Sequence, residues 1–284
     1  MVTIRKNVAH FVSYYLIEIN MKNNIYVYIV LLILSVSCIN DEREFPDFDY
    51  QTVYFAHQFP VRTITFGEEL FDNSLDNEGK IQIIATLGGA YASRRDVLLD
   101  VQVDNSLVDG LLFNDGSNPI QTMPSEYFQM ESNQITIPRG RVSGGVEVQF
   151  TGAFFNDPLA ISNTYVIPLR IANVVGADSI LSGVPLVSNP NRSISTDWDI
   201  QPKDFVLYAV KYINEYDGNY LRRGRDVITG KDGNTELTQT RNRRAEFVEY
   251  DQVQAMNTSA RTETILPLVY QGVGGVNINF PLRL

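Results

Sequence analysis

The sequence has one cysteine in 284 residues, two histidines and one tryptophan. A lone thiol cannot close an intramolecular disulfide, so the fold must rest on its core. Only one histidine, His57, lies beyond position 37, inside a strand-like run. A Ser–His–Asp or Cys–His unit would need it at its centre, and no nucleophile-elbow motif accompanies it. The residues therefore give no catalytic site, and the chain reads as a non-enzyme. Basic charge is also short: 23 Lys and Arg stand against 33 Asp and Glu, a net charge of −10. That balance leaves no basic footprint for nucleic acid. No apolar run reaches the roughly 20 residues of a membrane-spanning helix, and no amphipathic helix of ten residues stands out. No zinc pattern occurs. Asp47-Phe48-Asp49 and Asp232-Gly233-Asn234 offer oxygen ligands without the spacing of an EF-hand, and read as solvated loops. With so many acids, some pair falls at glycosidase spacing by chance, so paired carboxylates carry no signal. No metal or cofactor is called for.

What is present begins with Met21 to Glu42, MKNNIYVYIVLLILSVSCINDE. Lys22 supplies a positive start, Ile25 to Leu34 an apolar core, and Ser35 and Ser37 the small residues before Cys38. This is the order of a secretory signal. Residues 1–20 precede a complete signal and read as an over-extended N-terminus, with residues 21–37 as the signal peptide. Removing residues 1–37 takes away Arg5, Lys6, Lys22 and Glu18, which leaves 20 basic and 32 acidic side chains and a net charge of −12. Such acidity suits a body held away from a membrane surface by a tether.

Leu34-Ser35-Val36-Ser37-Cys38 resembles the lipobox of bacterial lipoproteins, in which the cysteine is lipidated and becomes the first mature residue. Asp41-Glu42 resembles the acidic signal that sends such lipoproteins to the outer face of the outer membrane. The resemblance implies lipidation at Cys38, a membrane contact through the lipid alone, and an outer-membrane location facing the exterior. The alternative is an ordinary signal peptide with a chance cysteine.

Beyond Cys38 the chain reads as all-β. Aromatics make up 11%, and Val, Ile and Thr recur in short alternating runs. Residues 38–49 are a charged tether. Thr52–Phe55, Arg62–Phe66, Ile81–Leu87, Val97–Val103, Glu126–Gln129, Ile135–Ile137, Val146–Phe150 and Tyr165–Ala172 are expected strands, separated by turn-rich loops. Pro168 in the last of these argues for an edge position or a bulge. The spacing predicts an antiparallel β-sandwich over residues 50–184. Residues 185–203, with three prolines and the tryptophan, read as a linker. Residues 204–284 read as a second, partial β-domain opening with Phe205–Ile213. Further strands are expected at Asn219–Arg222, Arg244–Tyr250, Glu263–Tyr270 and Val276–Leu284, with a tight turn at Lys231-Asp232-Gly233-Asn234.

Four segments carry a family resemblance: Met123-Pro124-Ser125-Glu126-Tyr127-Phe128, Ile135-Thr136-Ile137-Pro138-Arg139-Gly140, Val146-Glu147-Val148-Gln149-Phe150 and Tyr165-Val166-Ile167-Pro168-Leu169-Arg170-Ile171. Together they resemble the Ig-like N-terminal domain of Bacteroidetes surface lipoproteins encoded beside starch-utilisation-type glycan importers. Lys211 to Gly224 resembles the start of that family's C-terminal β-domain, which is barrel-like and runs longer than the residues left here, so the second domain looks truncated. The resemblance implies an accessory glycan-binding role, with glycan and outer-membrane importer components as partners. A structural or adhesive protein–protein module is the alternative, and a glycan-active enzyme the remoter one.

Sugar sites stack aromatic rings on pyranose faces. Trp198, Tyr216, Tyr220 and Tyr250 are the aromatics least committed to strand cores, and Arg222, within Tyr220-Leu221-Arg222-Arg223, offers a cation to an acidic sugar. For Trp198 the competing expectation is packing between domains; for the arginines it is pairing with nearby acids.

Overall fold

A computed structural model describes residues 48–284 except 69–70, 114–118, 234 and 272–274. Cys38, the apolar run before it and Asp47 lie outside the described residues, as does Asn234. The described chain is mostly β with a few short helical turns.

The first ten strands are β1 (Thr52–Tyr54), β2 (Val61–Thr65), β3 (Lys80–Gly88), β4 (Val97–Val103), β5 (Gln121–Thr122), β6 (Phe128–Met130), β7 (Gln134–Ile137), β8 (Ser143–Phe150), β9 (Tyr165–Val175) and β10 (Ser179–Ile180). Then follow β11 (Val184–Pro185), β12 (Trp198–Ile200) and β13 (Phe205–Ile213). One sheet runs β10-β1-β3-β8-β6 and the other β2-β13-β9-β4-β7, with β5 beside β9. Alternation explains the packing. In β3, Ile81, Ile83, Ala85 and Leu87 are buried, and they meet Ile135, Ile167, Val206 and Val210 from the facing sheet in one core. Each such aliphatic side chain contributes roughly 1.5–3 kcal/mol by leaving water. The β-sandwich expected from the sequence is present. It is not wholly antiparallel: β1–β10, β2–β13 and β5–β9 run parallel.

Two expectations are corrected here. Phe205–Ile213, read as the opening of the second unit, is β13, and it pairs with β9 on one side and β2 on the other. Both its faces are buried. Val206, Val210 and Tyr212 enter the main core, while Phe205, Leu207 and Ala209 pack under the turn Asn105–Val108 on the outer side. A strand buried on both faces reads as a nearly continuous apolar run, which FVLYAVKYI is. Pro168 sits in a central strand, not at an edge. Asp104 N–H donates to its carbonyl (2.9 Å), so its missing N–H faces the point where β4 has ended.

Residues 185–203 are folded rather than a free linker. β11 pairs with β12, and Arg192 forks onto the buried Asp204 carboxylate at 3.0–3.2 Å. Trp198 is only 7% exposed, and its Nε1 donates to the Asn191 carbonyl (2.8 Å).

The remaining strands are β14 (Gly218–Arg222), β15 (Gly224–Ile228), β16 (Gln239–Arg243), β17 (Gln252–Ala260), β18 (Glu263–Gln271) and β19 (Asn277–Arg283). β14-β17-β18-β19 form a small antiparallel sheet, and β15 and β16 form a separate hairpin. The expected strand at Arg244–Tyr250 is instead a loop ending in a 3-10 turn, Val248–Tyr250. The small sheet is fastened to the sandwich at Asn214. This buried side chain donates to the carbonyls of Ala260 (3.2 Å) and Glu263 (2.9 Å), and the Asn214 backbone N–H donates to Thr258 Oγ1 (3.0 Å). Arg261, at the β17–β18 turn, lies over the rings of Phe66 (4.7 Å) and Phe155 (4.8 Å).

Candidate functional site: an arginine cleft beside an aromatic pair

The β15–β16 register sets the site. Gly224 faces Arg243, Arg225 faces Asn242 and Asp226 faces Arg241. Since successive side chains point to opposite faces, Arg223, Arg225, Asn242 and Arg244 share one face, and Asp226, Arg241 and Arg243 share the other. The first group lines an open cleft of about 800 Å³ together with Gly224. Gly224 stands at φ +146, where side chains are rarely accommodated, and a Cβ there would meet nothing within 4 Å. Backbone conformation, not crowding, selects glycine at this point of the rim.

The second face is an ion-paired clamp. Asp226 accepts from Arg222 at 2.9 and 3.0 Å and from Arg243, and Arg222 also donates to Tyr270 Oη (3.2 Å). Burial alone would raise the Asp226 carboxyl. The Arg243 hydrogen bond and the charges of Arg222 and Arg243 outweigh it and hold the group below the ordinary carboxylate range.

A buried carboxylate positions the rim. Asp251 lies 2.6 Å from Arg223 Nε, with its side chain wholly covered, and accepts the Ala245 N–H at 2.8 Å. It thereby holds both ends of the loop carrying Phe247 and Tyr250. Those two rings pack edge-to-face, with centroids 6.3 Å apart. Both are exposed, Tyr250 to 73%. An aromatic surface left in water on the loop adjoining a set of guanidiniums can stack on the apolar face of a ring-shaped ligand while cations and Asn242 take its polar groups.

The residues expected from the sequence divide as follows. Tyr250 is outside the cleft lining, on the loop that follows Arg244 and one residue before Asp251, the partner of Arg223. Arg222 lies on the clamp side, behind the cleft. Tyr220 shares a sheet face with Arg222 by its i, i+2 spacing; its hydroxyl donates to the Tyr216 carbonyl (3.1 Å), and both rings are exposed. Trp198 is buried in the β11–β12 segment and presents no stacking face, so it is corrected from candidate ligand residue to packing residue. Sequence reading missed Arg225, Asn242, Arg244, Phe247 and Asp251. The Arg-x-Arg and Asn-x-Arg spacings flanking the Lys231-Asp232-Gly233 turn were the available signal, once the two runs are paired as a hairpin. Among the described residues no group of three or more His, Cys, Asp or Glu is placed to hold a metal.

A second concavity lies on the outer face of the six-stranded sheet. It measures about 350 Å³ and is lined by Phe59, Leu111, Leu112, Phe113, Leu207 and Ala209, among others. The one hydroxyl among its described lining residues, Ser193 Oγ, already donates to the Leu107 carbonyl (3.2 Å). The lining offers a hydroxylated ligand little to hold.

Fold and site together define a two-sheet β-sandwich bearing a smaller β unit with an arginine cleft. A crystal structure of a Bacteroides ovatus protein of unknown function is 46% identical, with a TM-score of 0.78, over 83% of this chain and 74% of that one. The chain belongs to that protein's family. Residues 48–178 match a family model described as a "-like, N-terminal domain", and residues 215–284 match the domain of unknown function DUF5627. Neither description names a reaction. Two more distant structures are a multidomain protein from Bacteroides ovatus that includes DUF1735 and an auxiliary nutrient binding protein from Bacteroides thetaiotaomicron. The first is 12% identical at a TM-score of 0.41, over 82% of this chain and 71% of that one. The second is 14% identical at 0.38, over 76% and 60%. At those scores neither name is carried to this chain. No curated protein matches it.

Proposed function

We propose that this is a non-catalytic, lipid-anchored surface protein that captures a glycan in the cleft of its smaller β unit. The observation that carries the reading is the exposed Phe247–Tyr250 pair, on a loop that Asp251 closes through the Ala245 N–H and ties to Arg223 of the cleft. Exposed aromatics held rigidly lose little conformational freedom on binding, which favours affinity. The signal sequence and Cys38 support attachment through lipid, and the resemblance to surface lipoproteins supports an outward-facing position beside an importer. The expected test is affinity electrophoresis of the full chain against a panel of neutral and acidic polysaccharides. A Phe247→Ala/Tyr250→Ala variant should lose at least tenfold in affinity for whichever members bind, since aromatic stacking contributes roughly 1–3 kcal/mol. Retardation by no member of the panel would overturn the reading.

One observation favours a second reading, a protein–protein module. β19 is an edge strand of its sheet. Its Ile278 and Phe280 stand opposite Tyr270 and Leu268 and are half exposed. Such an edge is a ready template for another strand. Pull-down of importer components without added glycan, lost on replacing Phe280 by Lys, would support this role over the first.

A further inference from the structure

We infer that the ligand of the cleft is anionic: a glycan bearing carboxylate or sulfate groups, gripped by Arg225 and Arg244. The inference rests on the reading of this cleft as the glycan site and names the ligand's chemistry. Three guanidiniums and one carboxamide share the cleft face of the β15–β16 hairpin. Arg223 is neutralised by Asp251. Arg225 and Arg244 are exposed and have no hydrogen-bond or ion-pair partner among the described residues. Two nearby carboxylates, Asp226 and Asp251, are taken by other arginines. Asp226 is on the opposite face, between Arg222 and Arg243, and Asp251 is covered. Glu246 and Glu249, on the neighbouring loop, are exposed and pair with neither arginine.

Like charges gathered on one face of a hairpin destabilise it. In a chain with a ten-charge acidic excess, pairing both arginines internally would have been easy. Leaving two free, with Asn242 between them, makes a local positive basin suited to planar or tetrahedral oxyanions, which guanidinium forks bind through two parallel hydrogen bonds. The Phe247–Tyr250 pair on the adjoining loop supplies a ring surface, so a charged sugar satisfies both halves of the site. A sugarless anion satisfies one.

The test is isothermal titration of the full chain with five probes: polygalacturonate for carboxylate, chondroitin sulfate for sulfate, neutral galactan and dextran, and polyglutamate as an anion without sugar. The expected result is binding to at least one acidic polysaccharide, at least tenfold weaker binding to both neutral ones, and weaker binding to polyglutamate. Polygalacturonate against chondroitin sulfate then decides between carboxylate and sulfate. Arg225→Ala/Arg244→Ala should weaken the acidic polysaccharide about a hundredfold, on the order of tenfold per charged contact. Arg225→Lys/Arg244→Lys should restore part of it through charge without the fork. Far-UV circular dichroism checks that both variants fold. Neutral glycans bound as tightly as acidic ones, or affinity unchanged in the double alanine variant, would overturn the anionic inference and leave glycan capture standing. Polyglutamate bound as tightly as the acidic polysaccharides would leave the anion site and overturn glycan capture. Silence from all five would overturn both.

Discussion

Asp226 joins three strands through one carboxylate: it sits on β15 and holds Arg222 of β14 and Arg243 of β16. Because those partners depress its folded-state pKa, it contributes stability whenever it is charged in both states. That contribution is complete well above the ordinary value near 3.8 and is lost as pH falls through the lower folded value. Thermal unfolding of the β15–β16 region, followed by proteolysis, should therefore show an acid-side fall beginning below about pH 4. Asp226→Asn should start from lower stability at neutral pH and show a shallower fall, converging with wild type in strong acid. Parallel acid limbs in the two proteins would contradict this assignment. Nothing in the sequence picks Asp226 out from the other acids. Its role depends on hairpin register, which no single residue announces, and the same is true of Arg225 and Arg244. Tyr250 was legible as an aromatic among charged neighbours, Glu249 and Asp251, outside the clearest apolar strand patterns.

Among the elements, β3 and β13 show what the alternation does and does not reveal. Ile81 to Leu87 alternates cleanly and became one face of the sandwich core. Phe205 to Ile213 also alternates, but its other positions are apolar too, and that second apolar set marks a central strand covered on both sides rather than the start of a new unit. The change of sheet falls one residue later, at Asn214, where a polar side chain replaces hydrophobic contact as the connection. Asn214 makes three side-chain hydrogen bonds, to Ala260 O, Glu263 O and the Tyr216 N–H (3.0 Å). Asn214→Ala would remove them and take a donor from the part-buried Ala260 and Glu263 carbonyls, at about 1–3 kcal/mol. The expected result is faster protease cutting within residues 215–284 while the sandwich stays intact. Uniform loss across both parts would mean that Asn214 supports the whole fold and not this attachment. The two-residue strands β5, β10 and β11 were illegible for a different reason. Each is too short for any period to register, and each exists only because a longer strand lies beside it.

At the scale of the molecule, the sandwich positions a small unit whose polar cleft faces solvent, and the charge is divided unevenly: acidic overall, with a local arginine cluster on one hairpin. The proposal that this arrangement works at a cell surface depends on Cys38 as much as on the cleft. One measurement addresses both. Cells expressing the full chain are incubated with fluorescent polygalacturonate and fluorescent chondroitin sulfate, and surface fluorescence is read beside the protein's partition between membrane and soluble fractions. The account predicts that wild-type cells hold one of the two probes. Arg225→Ala/Arg244→Ala cells should keep the protein in the membrane fraction but lose the probe, and Cys38→Ser cells should lose both. A Cys38→Ser protein that stays with the membrane, or wild-type cells no brighter than cells lacking the protein, would contradict it.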